Sequence, residues 1–453
     1  MIRASHSFPR RFLWGTATSA HQVEGDNILN DWWDWEQQPG RIALGQRSGK
    51  ACDWWGGRWQ EDFDRAAAGG QNAHRLSLEW SRVEPSPAVW DEAALEGYRE
   101  IVRGALARGL MPMVTLHHFT NPRWVAEQGG WLKPGIVSLF ERYVRKVVDA
   151  LQDAVGLWVT INEPNVYMSL SYVLGLFPPG EKNLGHAFEV ARNLIRAHVA
   201  AYRAIHEVQP GALVGLAHHV RGFRPARPAS PLDRWAARAR SRLFNDLFAV
   251  AAHSGRFRSL LHSERLPEAA GTQDFIGLNY YTQERVAFDL RRPGELFARG
   301  FFPKDADLSP TGYLANEPEG FWRALGWARK FGLPVYVTEN GVEDAADRLR
   351  PRYLAAHLRQ LWRAVNFNWP VKGYFHWTLV DNFEWERGWT QRFGLYELTP
   401  DTQERRKRAS ADLYAEVCKS NALSSETVAL YAPEVVEQLF PVRRAAVARV
   451  SRG

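Results

Sequence analysis

Leu157-Trp158-Val159-Thr160-Ile161-Asn162-Glu163-Pro164 is a short apolar, β-branched run that stops abruptly on a carboxylate and a proline. Its composition is that of a buried strand, and Pro164 cannot donate to a ladder. Leu157–Ile161 is therefore predicted as a strand that delivers Asn162 and Glu163 at its C-terminal end. Runs of the same kind recur at Phe12–Ala17, Ala73–Leu78, Pro112–Leu116, Ala212–Leu216, Phe275–Leu278, Val335–Thr338 and Gly373–Trp377. Between them lie segments of helical periodicity, such as Leu139–Leu151, Ala187–Val208 and Tyr353–Val365. Strands alternating with helices predict βα units and a parallel sheet, and eight such runs suit a single (β/α)8 TIM barrel.

A second run, Tyr336-Val337-Thr338-Glu339-Asn340-Gly341, also ends on a Glu followed by turn residues. Alone, either Glu reads as a surface or capping residue. Together, two carboxylates delivered from two strand ends are what glycosidic bond cleavage needs: one protonates the leaving oxygen, the other attacks or activates water. His118, Glu163, Tyr281 and Glu339 each follow a predicted strand. In a barrel those positions share the C-terminal rim, where active sites are built.

The bulk composition limits the alternatives. The chain has 453 residues, 45% hydrophobic and 24% charged, enough for a large soluble core. Its net charge is +7, but the basic residues are spread along the chain apart from Arg405-Arg406-Lys407-Arg408 and the last few residues. No nucleic-acid partner is expected. Two cysteines, Cys52 and Cys418, form no framework, the N-terminus has no apolar signal-peptide core, and no apolar run spans a bilayer. A cytoplasmic protein with no membrane partner is the expectation. The sequence says nothing of oligomeric state. Arg221–Asp233 and Phe288–Glu319, rich in Pro with Arg, Gly or Asp, are predicted as long loops over the rim.

The Thr160–Asn165 and Val337–Gly341 strings look like the acid/base and nucleophile signatures of glycoside hydrolase family 1, the β-glucosidase family. The resemblance covers about residues 8–420, beginning with Phe12-Leu13-Trp14-Gly15-Thr16-Ala17-Thr18-Ser19-Ala20-His21-Gln22-Val23-Glu24-Gly25, and it also guides the count of eight strands. It implies one glycosidase domain over residues 1–423. Residues 424–453 then form an extension of unknown role, in which Val428–Val436 and Val442–Val450 are candidate short helices. The activity implied is a retaining exo-β-glycosidase on non-phosphorylated β-glucosides, with β-galactosides and β-fucosides as further substrates. A transglycosylase on the same site, or a non-catalytic sugar-binding protein of the same fold, are the alternatives.

Site residues follow from the matching motifs. Glu163 is implied as acid/base, and must hold a proton in the free enzyme; Glu339 is implied as nucleophile. Gln22 both donates and accepts, which suits neighbouring sugar hydroxyls. Arg75, in Asn72-Ala73-His74-Arg75-Leu76-Ser77, is placed beside the nucleophile, where a guanidinium keeps a carboxylate ionised and aimed. Asn279-Tyr280-Tyr281 matches the family's N-Y-Y, with Tyr281 donating to Glu339 and Asn279 grouped as a nucleophile support. Asn162 is implied on the sugar 2-hydroxyl. In Thr115-Leu116-His117-His118-Phe119 the second His binds sugar; many relatives carry Trp where this chain has Phe119. A His pair also raises a metal, but no H-E-x-x-H spacing accompanies it, and His218-His219 lies too far along the chain to be placed. No metal and no cofactor is expected.

Gly373–Trp385, running on to Arg392-Phe393-Gly394, resembles the strand-eight and sugar-reading loop. It implies Trp377 as a platform under the ring, Glu384 and Trp385 at the 4- and 6-positions, and Phe393 against the substrate. Relatives acting on 6-phosphosugars carry Ser and a Lys–Tyr pair where this chain has Glu384. Trp33 and Trp124 are the candidates for the aglycone side, against plain packing.

Overall fold

The computed structural model of the chain describes residues 3–258, 263–295 and 297–441. Eight parallel strands close into a barrel in chain order: β1 (Leu13–Ala17), β2 (Ala73–Ser77), β3 (Met111–His117), β4 (Leu157–Asn162), β5 (Leu213–His219), β6 (Phe275–Tyr280), β7 (Val335–Asn340) and β8 (Val371–His376). All eight predicted runs are strands, and several extend further at the C-terminal end than predicted. Each is followed by a helix on the outside of the barrel: Trp59–Ala68, Glu92–Ala107, Ile136–Leu151, Leu184–Val208, Leu247–Ser254, Pro318–Ala328, Arg350–Asn366 and Ala409–Ser420.

The strands are apolar on both faces because both faces are covered. Ala73, Met113, Leu157, Val159, Phe275, Tyr336 and Phe375 fill the interior, while the outward residues pack under the helices. Gly15 admits Phe375 into the interior; a Cβ there would lie 2.5 Å from the Ala73 carbonyl.

The two segments predicted as long loops are partly ordered as a sheet. Gly222–Pro225, Gln283–Phe288 and Ala298–Phe301 form three strands, capped by the helix Pro231–Ser241 through Ala236, Ala237, Val286 and Ala298. Asp233 ties this unit together, accepting from the Phe288 N–H and from Arg227. Turn-rich composition concealed strands of four to six residues that pair only with each other.

Ser5–Ser7 pairs antiparallel with Ala422–Ser424. Beyond it, Ser425–Tyr431 and Val436–Leu439 are helical, with a 3-10 turn between them. His6 stacks between Trp362 and Phe440, its ring 4.2 and 4.5 Å from theirs. The candidate helix Val442–Val450 lies outside the described residues.

Candidate active site

The cavity at the C-terminal rim is lined by His118, Glu163, Tyr281, Glu339, Trp377, Glu384, Trp385 and Phe393, among others. Each comes from a strand end or the loop just beyond it, as a barrel rim requires.

Glu163 is put there by the break in β4. Pro164 starts a short helix at its first turn, and Glu163 takes up a left-handed backbone, φ 42° and ψ 57°, ahead of it. Its N–H donates to the Ala217 carbonyl at 2.8 Å, which pins the turn to β5. Phe119 and Trp385, also on the rim, have φ of 72° and 48°. Three non-glycine residues in this sparsely populated region line one cavity, a pattern that surrounding structure must hold in place. Just past β7, Gly341 lets the Trp377 backbone approach closely: a Cβ there would lie 2.0 Å from the Trp377 carbonyl oxygen.

Glu339 is gripped on both oxygens. Arg75, fully buried, bonds Oε1 at 2.5 Å, and the Tyr281 hydroxyl donates to Oε2 at 2.6 Å. Burial pushes the Glu339 carboxyl up to about 7; the Arg75 guanidinium opposes this, the nearby Glu163 adds to it, and the Tyr281 bond opposes it again. Arg75 also bonds Asn162 Oδ1 at 2.6 Å and Thr115 Oγ1 at 3.1 Å, so one guanidinium fixes residues from three strands.

That contact orients Asn162. With Oδ1 facing Arg75, its Nδ2 donates to His118 Nε2 at 3.0 Å. Burial, then Arg75 and His117, push His118 well below its ordinary range. The ring is therefore neutral, with the proton on Nδ1, which has no partner among the described residues.

Asn279 is placed differently from the expectation. The family motif groups it with the nucleophile, but Thr338 Oγ1 donates to its Oδ1 at 2.6 Å and its Nδ2 donates to Glu163 Oε1 at 2.8 Å. Asn279 supports Glu163, not Glu339. Gln22 also differs: it lies buried behind the wall, donating to the Phe383 carbonyl at 2.7 Å and to Glu384 Oε2 at 3.3 Å. Burial, then Glu386, Glu339 and Glu163, push Glu384 well above the carboxylate range.

Trp377, Trp385 and Phe393 line the cavity. Trp385 packs against His118, Phe119 and Phe177. Trp124 does not line it: its indole N–H donates to the Glu84 carbonyl at 3.0 Å, and its ring meets Trp80 edge-on in the core. Trp33, half-buried on the short helix Asp31–Glu36, is not among the lining residues either. Residues that do line the cavity include Val166, Leu170 and Phe177, with Arg221, Tyr313 and Glu386. Val166 and Leu170 follow Glu163 by three and seven residues, a helical spacing readable from the sequence once Pro164 is taken as a helix start.

A barrel with two carboxyls, a buried arginine and aromatic walls at its rim defines a glycoside hydrolase. The family model for glycosyl hydrolase family 1 matches residues 4–423, and the chain belongs to that family. It is similar to a β-galactosidase of Pyrococcus woesei, 31% identical over 92% of this chain and 98% of that one. Among solved structures it is similar to a β-glycosidase from Pyrococcus horikoshii (37% identical, TM-score 0.88, covering 94% of this chain and 98% of that one). A β-glucosidase from Thermotoga maritima in complex with glucoimidazole is 30% identical, with TM-score 0.86, over 92% of this chain and 99% of that one.

Proposed function

We propose that this family 1 enzyme is a retaining exo-β-glycosidase that cleaves non-phosphorylated β-glucosides by double displacement, with Glu339 as nucleophile and Glu163 as acid/base. The observation that carries it is the opposite treatment of two carboxyls in one cavity. Glu339 is bonded by a cation and a phenol; among the described residues Glu163 is bonded by the Asn279 amide and the His219 imidazole. The like charge of Glu163 disfavours ionisation of Glu339, so one proton shared between the two carboxyls is favoured. Arg75 and Tyr281 both favour negative charge on Glu339, so the shared proton is assigned to Glu163.

In the first step Glu339 attacks C1 as Glu163 protonates the departing oxygen; in the second, Glu163 takes a proton from the water that displaces Glu339. His118 Nδ1–H and Asn162 are assigned to hydroxyls near C2 and C3, Trp377 to the ring face, and Glu384, held by Gln22, to the 4- and 6-hydroxyls. The small-molecule ligand reading draws support from the Thermotoga maritima complex with glucoimidazole. No described helix is long and apolar enough to cross a membrane; we assign the chain to the cytoplasm, as one glycosidase domain over 1–423 with the extension 424–453 attached.

A panel of 4-nitrophenyl β-glycosides tests the substrate class. The glucoside is expected to turn over, with the galactoside and fucoside as weaker substrates. The 6-phosphoglucoside is expected to be poorer by about a hundred-fold or more, because the phosphate would enter a wall already crowded by Glu384 and Glu386. The cations nearby are taken: Arg387 pairs with Glu386 and Arg221 with Glu284. A preference for the 6-phosphoglucoside would overturn this reading of the Glu384 loop.

A further inference from the structure

His219 belongs to none of the motifs above, yet it ends β5 with its Nδ1 2.9 Å from Glu163 Oε1. We propose that His219 is a positioning residue for Glu163: its Nδ1–H keeps the catalytic proton off Oε1 and on Oε2, the oxygen left for the glycosidic bond. The inference rests on the assignment of Glu163 as acid/base.

The network fixes the donors. Thr338 turns Asn279 so that its Nδ2 donates to the same Oε1 at 2.8 Å. Oε1 therefore receives an N–H whatever the charge on Glu163. A second N–H, from His219, makes it the carbonyl oxygen of the neutral acid, and the proton resides on Oε2. The opposite tautomer of His219 would bury an unpaired Nε2–H, since Nε2 has no partner among the described residues. It would also set a bare Nδ1 against the carboxylate once Glu163 has given up its proton. Only the Nδ1–H form suits both halves of the cycle. The ring is held edge-on to Phe244 at 5.6 Å and tilted on Tyr281 at 5.7 Å. Tyr281 is the residue that donates to Glu339, so His219 braces both halves of the site. The other charged or titratable groups that line the cavity with this pair are Glu339, Tyr281, Arg221, His118, Tyr313, Glu384 and Glu386.

The proton path then balances. In glycosylation the Oε2–H bond breaks, the proton passes to the glycosidic oxygen, the C1–O bond cleaves and a Glu339–C1 bond forms. In deglycosylation water gives a proton to Oε2 while its oxygen takes C1 from Glu339. The negative charge that Glu163 carries between the two steps is stabilised by the His219 N–H.

The test compares His219→Phe with His219→Asn, whose Nδ2 donor sits at the same branch point as the imidazole Nδ1. His219→Phe is expected to lower kcat about ten- to a hundred-fold for an alkyl glucoside, the worth of one hydrogen bond to a charged group. The 2,4-dinitrophenyl glucoside, which needs little protonation, should stay within about two-fold in the glycosylation step. The basic limb of the kcat/KM–pH profile should move to higher pH, because a carboxyl that has lost a donor to its charged form holds its proton longer. His219→Asn should restore both. Equal losses on both substrates, a basic limb that stays or moves down, or an Asn variant no better than Phe would each overturn the proposal. Should His219→Phe not fold, His219→Ala carries the same comparison. Glu163→Ala, run alongside, separates two failures: if it too shows no dependence on the leaving group, the assignment of Glu163 is at fault and the proposal falls with it.

Discussion

Glu339→Ala is expected to abolish turnover, with a fall in kcat on the order of 10⁵-fold or more, as for other enzymes that lose a covalent nucleophile. The carboxylate is bonded by both Arg75 and Tyr281, and its removal leaves a space against C1 and an Arg75 that is fully buried. Azide is a small anion that can occupy that space opposite the leaving group. With a 2,4-dinitrophenyl β-glucoside, added azide should restore part of the rate and yield the α-glycosyl azide, because attack comes from the face that Glu339 occupied. The same variant should remain folded, since Arg75 keeps its bonds to Asn162 and Thr115. A β-azide product, or full activity without azide, would remove Glu339 from the nucleophile's role.

Glu163→Ala should behave in the complementary way. Loss of a general acid costs about 10²- to 10⁴-fold, and the cost falls on leaving groups that need a proton. Alkyl glucosides and cellobiose should suffer the full loss, whereas glycosylation by the dinitrophenyl glucoside should change little. The second step would then limit turnover for that substrate, since no base is left to activate water. Azide needs no base, so it should accelerate that step and give the β-glycosyl azide. If the two variants gave each other's anomers, the roles would be reversed.

Much of this was legible before any coordinates. Parallel strands covered on both faces read as continuous apolar runs, and with the family resemblance guiding the count all eight barrel strands are placed from the sequence. Their C-terminal ends do not, because the last residues are polar: β6 runs on through Asn279 and Tyr280, whose polar atoms are satisfied by Thr338, Glu163 and the Glu317 carbonyl. Chemistry borne by a contiguous string was easy to place, as with Asn162-Glu163-Pro164. Chemistry borne by pairing across the barrel was not. His219 meets Glu163 across 56 residues of chain. Asn279 stands level with Glu339 in the ladder, yet its amide turns to Glu163. Trp124 shows the limit for aromatics: a tryptophan beside the rim can face the cavity or the core, and its indole partner, the Glu84 carbonyl, is visible only in the fold.

The central claim is that Glu339 forms a bond to the sugar, which requires two carboxyls about 5–5.5 Å apart and leaves no room for a water between nucleophile and ring. Proton NMR of the wild-type enzyme acting on 4-nitrophenyl β-glucoside, read before mutarotation, tests it most directly. The account predicts that the first-formed glucose is the β-anomer; first release of the α-anomer would contradict it.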